Sequence, residues 1–148
     1  SYDTFDTKDL VNHIAYIPQQ PKLFYGTLFD NFSMGRSDIT HERVIDVLVK
    51  LNIKDFINNF PGGFCYILGD DGKRVSGGQA RIISLIRALL TDKDIFLFDE
   101  PTSSLDEELE LKVLDGFFNN FPNKTVVIAA HRTNLIKYAD EVIAIDGR

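Results

Sequence analysis

Apolar residues fall along the chain in two kinds of run. Short continuous ones, rich in β-branched and aromatic side chains, end abruptly at a proline or a polar residue: His13 to Ile17 stops at Pro18, Ile95 to Phe98 at Asp99, and Thr125 to Ala130 at His131. Runs of this length without alternation are what strands covered on both faces of a parallel sheet look like. Glu141 to Ile145 resembles them and is predicted as a fourth strand. Between the last three lie stretches with helical spacing, Leu105 to about Asn119 and Thr133 to about Tyr138. Strand, helix and strand in alternation predict an α/β sheet.

The middle of the chain differs. From about Thr27 to Leu90 only helical patterns occur, at Thr27 to Phe32, Thr40 to Leu51, Lys54 to Asn59 and Gly77 to Leu90, so a helical insertion in the sheet domain is expected. Pro61-Gly62-Gly63 and Gly69-Asp70-Asp71-Gly72 punctuate it with residues suited to tight turns. The last of these helices is apolar almost all round, which predicts burial on several sides. Arg81 and Arg87 interrupt it, and carboxylate partners are expected for both.

Composition narrows the class. A length of 148 residues suits one domain, and 44% apolar with 26% charged residues is the balance of a folded globular chain. No run approaches the roughly 20 apolar residues that cross a bilayer. The formal charge of -6 has the wrong sign for a phosphate-backbone binder, so no nucleic-acid partner is expected. The single cysteine, Cys65, excludes an internal disulfide framework and a cysteine-based zinc site, and suits a reducing, cytosol-facing location.

Candidate chemistry follows from the strand ends. Ligands of open parallel sheets bind beyond the carboxyl ends of the strands, and here those ends carry Gln19, Asp99-Glu100 and His131. Singly, each reads as a loop amide, a solvated turn or a structural histidine. Together on one edge they form a carboxylate pair, an amide and an imidazole, a set suited to metal-assisted phosphoryl hydrolysis. A second element, Ser76-Gly77-Gly78-Gln79, opens the apolar helix. Ser76 with Gln79 is a capping box, which does not explain two glycines in a first turn. Bare backbone N–H groups, a hydroxyl and the positive end of a helix dipole make an anion site.

These residues carry a resemblance. Val75-Ser76-Gly77-Gly78-Gln79 resembles the LSGGQ signature of ATP-binding cassette (ABC) proteins, with Val for the usual Leu. Phe96-Leu97-Phe98-Asp99-Glu100 resembles their Walker B strand, followed by Pro101-Thr102 and a D-loop, Ser103-Ser104-Leu105-Asp106. His131 matches the switch histidine, and Gln19 in Tyr16-Ile17-Pro18-Gln19 the Q-loop glutamine. Pro21 to Thr27 and Gly69 to Gly72 are similar to exporter-type cassettes, the latter with Asp where Glu is usual. Ala80, Arg81 and Ile82 depart from the Arg/Gln/Arg-rich start of the family's signature helix.

The resemblance implies a partial P-loop NTPase (RecA-like) parallel sheet with an inserted α-helical subdomain. Residues 1–19 and 92–148 would be the α/β core portion, and residues 20–91 the helical subdomain with the signature. It implies ATP and Mg²⁺ as cofactors: Asp99 and Gln19 on the metal, Glu100 as general base, His131 at the γ-phosphate, and Ser76, Gly77, Gly78, Gln79 and Asp106 around nucleotide held by a second nucleotide-binding domain. It further implies a transmembrane domain as partner and a place at the cytoplasmic face of the cell membrane. The alternative is a non-transport cassette of the DNA-maintenance or translation-factor type. That class needs coiled-coil insertions or basic surfaces, against which the acidic balance and Pro21 to Thr27 speak.

One motif is missing. The phosphate-cradling G-x-x-x-x-G-K-[ST] loop occurs nowhere in the chain, and Gly69 to Arg74 lacks its spacing and its Ser or Thr. The sequence is therefore expected to be the central and C-terminal part of a domain that continues beyond Ser1 and Arg148. Alone, it is expected to be inactive and to self-associate through apolar surface around Phe96 and Phe98.

Overall fold

A computed structural model describes residues 11–100, 105–131 and 133–145. Three parallel strands, β1 (Ile14–Ile17), β2 (Ile95–Asp99) and β3 (Thr125–Ala129), form a sheet in the order β1-β2-β3. Between β1 and β2 run three α-helices: α1 (Leu28–Ser33), α2 (His41–Lys50) and α3 (Gly77–Leu89). Short 3-10 turns intervene at Lys54–Asn59, Gly63–Cys65 and Asp70–Gly72. Helix α4 (Glu107–Asn120) joins β2 to β3, and a 3-10 turn at Thr133–Tyr138 follows.

The helix starts are written in polar side chains. Thr27 caps α1 reciprocally with Asp30, Thr40 accepts the Arg43 N–H of α2, and Asp106 accepts the Leu109 N–H of α4. Such caps satisfy N–H groups that a helix leaves orphaned, worth about 1 kcal/mol each. Lys54–Asn59 is a 3-10 turn and not the α-helix its spacing suggests. With only six residues and a polar Asn-Asn end it buries just Phe56, and i to i+3 bonding is common in such short pieces.

One face of the sheet makes the core. Paired rows Ala15–Phe96–Val126 and Ile17–Phe98–Ile128 point toward α3 and α4, where the Phe117 ring sits 5.8 Å from Phe96 and 5.3 Å from Phe98. Phe96 and Phe98 are 0% and 4% exposed, so they are not the surface expected to drive self-association. The uncovered apolar surface is on the other face, along the row Tyr16–Leu97–Val127, with Tyr16 and Val127 59% and 57% exposed. Among the described residues nothing covers that face, against the expectation of strands buried on both sides. Glu141 to Ile145 adds no strand: residues 141–145 are irregular, and Ile143 and Ile145 are exposed. The segment leaves from Tyr138, which stacks on Phe118 at 4.8 Å and bonds Asp115, so it departs from the flank of α4 and not along the edge of β3.

Helix α4 also crosses the end of α2 at very close range. A Cβ on Gly116 would stand 2.6 Å from the Leu51 backbone and the Lys50 carbonyl. Asn120 Nδ2 donates to the Lys50 carbonyl at 2.9 Å, closing the same contact. Gly116→Ala is expected to lower stability by about 1–3 kcal/mol, the range for forced overpacking. Urea unfolding checks this: the midpoint falls, whereas an unchanged midpoint contradicts the contact.

Candidate active site

The site begins where β2 ends. Glu100 follows Asp99 with φ of 46°, a left-handed conformation that only glycine adopts freely. Such backbone costs on the order of 1–3 kcal/mol and persists when its surroundings over-determine it. Here they do: the Glu100 N–H donates to the Ala129 carbonyl at the end of β3, at 2.9 Å. The Glu100 carbonyl accepts from the guanidinium of Arg81 on α3.

This turn aims the Glu100 carboxylate along the edge of the sheet. Gln19 Nε2 donates to Glu100 Oε2 at 3.0 Å, and His131 Nε2 lies 3.3 Å from Glu100 Oε1. The three strand ends therefore meet at one carboxylate. His131 is nearly fully exposed and the Glu100 side chain is 22% exposed, so the pair adds little stability, about 0–1 kcal/mol. It holds geometry at an open rim.

Asp99 has a partner that the sequence reading did not single out. Tyr16 pairs with Leu97 across the sheet, and Asp99 stands two residues farther along the same face. The Tyr16 phenol donates to Asp99 Oδ2 at 3.2 Å. Desolvation, the bond to Asp99 and that carboxylate's charge raise the phenol above its ordinary value of 10.0. It therefore remains a donor through neutral pH, and the bond is lost only as pH climbs past that raised value. Strand parity, which puts residues i and i+2 on one face, is the signal that marks Tyr16.

The second cluster lies elsewhere. Ser76 Oγ accepts the Gln79 N–H at 3.1 Å, and Gln79 Oε1 accepts the Ser76 N–H at 2.9 Å, forming the capping box that opens α3. Gly77 and Gly78 make the first turn. Ser76, Gly78, Gln79 and Asp106 line one cavity of about 690 Å³, together with residues of Lys54–Asn59 and the start of α4. Gln19, Asp99, Glu100 and His131 do not line it. Leu105 and Asp106 of the D-loop are described, Asp106 as a helix cap; Pro101 to Ser104 lie outside the described residues.

Both arginines of α3 bond main-chain carbonyls, not the carboxylates expected for them. Arg87 donates to the carbonyls of Lys22 and Asn31 and to Asn31 Oδ1, with Phe24 under its guanidinium at 5.3 Å. Burial pushes it down to about 10, which leaves it charged at neutral pH. The reason is local: α3 runs beneath strand and helix ends whose carbonyls have no ladder partner, and a buried guanidinium satisfies them.

A profile described as "ABC transporter" matches residues 2–103. The chain belongs to the ABC transporter family. It is 38% identical over 139 residues to an ATP-dependent lipid A-core flippase of Xylella fastidiosa, covering 93% of this chain and 24% of that protein. It is 36% identical over 138 residues to the lactococcin-G-processing and transport ATP-binding protein LagD of Lactococcus lactis, covering 93% and 20%. A bacterial Atm1-family ABC exporter solved with ATP bound superposes with a TM-score of 0.79 at 29% identity, over 87% of this chain and 23% of that one. The chain thus spans about a quarter of the length of these relatives. Its sheet and helices are part of the ABC-type P-loop ATPase fold.

Proposed function

We propose that this chain supplies the hydrolytic edge and the signature helix of an ATP-hydrolysing motor that drives an ABC exporter. One observation carries the reading: Gln19, Glu100 and His131, from three different strand ends, converge on a single carboxylate. Glu100 is placed to take a proton from water attacking a phosphate, with His131 at the exposed rim to meet the γ-phosphate. Phosphoryl transfer is mainly positioning and charge stabilisation, which such a set supplies.

The residues suit Mg²⁺. Asp99 offers carboxylate oxygen, and Gln19, whose amide nitrogen is turned to Glu100, has its carbonyl oxygen for a hard cation. Among the described residues no three acidic, histidine or cysteine side chains form a metal cage. Mg²⁺ beside a nucleotide is held by one or two protein oxygens plus phosphate. When bound, Mg²⁺ offsets phosphate charge; Asp99, oriented by Tyr16, and Gln19 are the groups that would hold it.

The separation of the two clusters supports a second nucleotide-binding domain as partner. Ser76, Gly77, Gly78 and Gln79, with Asp106 beside them, present N–H groups and a hydroxyl to phosphate held by that other domain. Residues 1–19 and 92–148 serve as the α/β core portion, and residues 20–91 as the helical subdomain. No helix among the described residues is long and apolar enough to cross a membrane. By likeness to exporters, the partner would be a transmembrane domain, with this chain at its cytoplasmic face. Relatives named for a lipid and for a bacteriocin match almost equally, which ties these residues to a shared motor and not to the cargo. Their names and the acidic charge favour transport over the DNA-maintenance or translation-factor alternative.

In the protein as encoded, Glu100→Gln is expected to cut steady-state phosphate release by about a hundredfold or more while ATP binding is retained, since an amide of equal size takes no proton. Release within a few-fold of wild type refutes the assignment. In that background Gly77→Asp is expected to abolish the ATP-driven dimer seen by light scattering, because it puts negative charge where phosphate must approach. As a mere helix start the same acid would be neutral or mildly stabilising. A dimer as abundant as the control therefore defeats the anion role.

Residues 1–148 alone lack the phosphate loop, and the groups at the edge include two carboxylates that repel phosphate. They are expected not to reach the roughly -8 kcal/mol of micromolar binding. Calorimetry with Mg-ATP decides, and a micromolar dissociation constant overturns this expectation.

A further inference from the structure

Arg81 is a charged side chain for which the proposed function has no role. It is 8% exposed, sits one turn into α3, and donates to the main-chain carbonyl of Glu100. We infer that Arg81 is a positioning residue for Glu100: by holding that carbonyl it keeps Glu100 in the left-handed conformation that turns its carboxylate toward Gln19 and His131.

Glu100 is held on both sides of its Cα, its N–H by the Ala129 carbonyl and its C=O by Arg81. The first bond comes from the neighbouring strand and fixes where the residue starts. The second comes from a different element and fixes which way the chain turns afterwards. A φ of 46° at a glutamate does not persist by itself. Without Arg81 the peptide is free to rotate toward extended backbone, which swings the carboxylate away from the edge.

The contact also joins the two clusters. The helix that starts with Ser76 to Gln79 ends its first turn and a half on the backbone of the proposed base. The guanidinium suits this role because it is planar and rigid, with its donors in a fixed fork.

The inference rests on Glu100 acting as the base, and the experiment separates the two. In the protein as encoded, Arg81→Leu fills the same space without a donor. Its kcat for ATP hydrolysis is expected to fall between about tenfold and about a hundredfold, the scale of a misplaced catalytic group. KM for ATP is expected to change by no more than about twofold, since no nucleotide contact is removed. Arg81→Lys, which keeps a charged donor on a long stem, is expected to recover most of the loss. A folded Arg81→Leu protein with wild-type kcat overturns the inference, as does an Arg81→Lys variant as impaired as the leucine one. If Arg81→Leu does not fold, Arg81→Gln, with one amide donor, is compared with Arg81→Met under the same criteria. Glu100→Gln in the same assay is the control. If it still hydrolyses ATP, the reading of Glu100 fails; if it is inactive while Arg81→Leu is normal, only the role of Arg81 fails.

Discussion

Everything at the site hangs on the register of β2 between its two neighbours. Phe98 is level with Ile17 on one side and Ile128 on the other, so the residues just beyond all three strands emerge at the same height. Parallel pairing makes this possible, because it puts every carboxyl end on one edge. The register is enforced from beneath by apolar rows packed on α3 and α4. A slip of one residue would turn Phe96 and Phe98 to the open face and separate Glu100 from both its partners.

The sequence made that edge legible because each apolar run stops sharply at a polar residue, and the spacing of Ser76 and Gln79 made the cap of α3 legible as well. Other features left no such trace. The run Glu141 to Ile145 has the composition of a strand, but composition does not say whether an edge is within reach, and its anchor at Tyr138 leads it elsewhere. The partners of Arg81 and Arg87 were invisible for a different reason. Every residue carries a carbonyl, so a main-chain acceptor has no signature in the residue string, whereas a carboxylate does.

The Glu100 turn shows how strain and function share a residue. A glycine would adopt φ of 46° at no cost and bring no carboxylate to the edge. At Glu100 the N–H is held by the end of β3 and the C=O by Arg81 of α3. Stability is spent at the point where direction matters most, while the exposed His131 and Gln19 contacts contribute geometry at little energetic gain.

The placement of the helices between β1 and β2 has a consequence for the order of events during synthesis. Ile14 cannot pair until Ile95 has been made, a separation of about eighty residues, or roughly 4–16 s at translation rates of about 5–20 residues per second. Over that interval β1 is an apolar segment without β2, its partner among the described residues. Helices α1 and α3 meet across 56 residues, as at Asn31 and Arg87, a shorter separation than that of the two strands, and shorter-range contacts close sooner. Once they are packed, the start of the insertion at Lys22 and Asn31 is tied to its end through Arg87. The long loop is then already closed when β2 leaves the ribosome, and the entropy of bringing two distant strands together has been met by a helix that forms before either can pair.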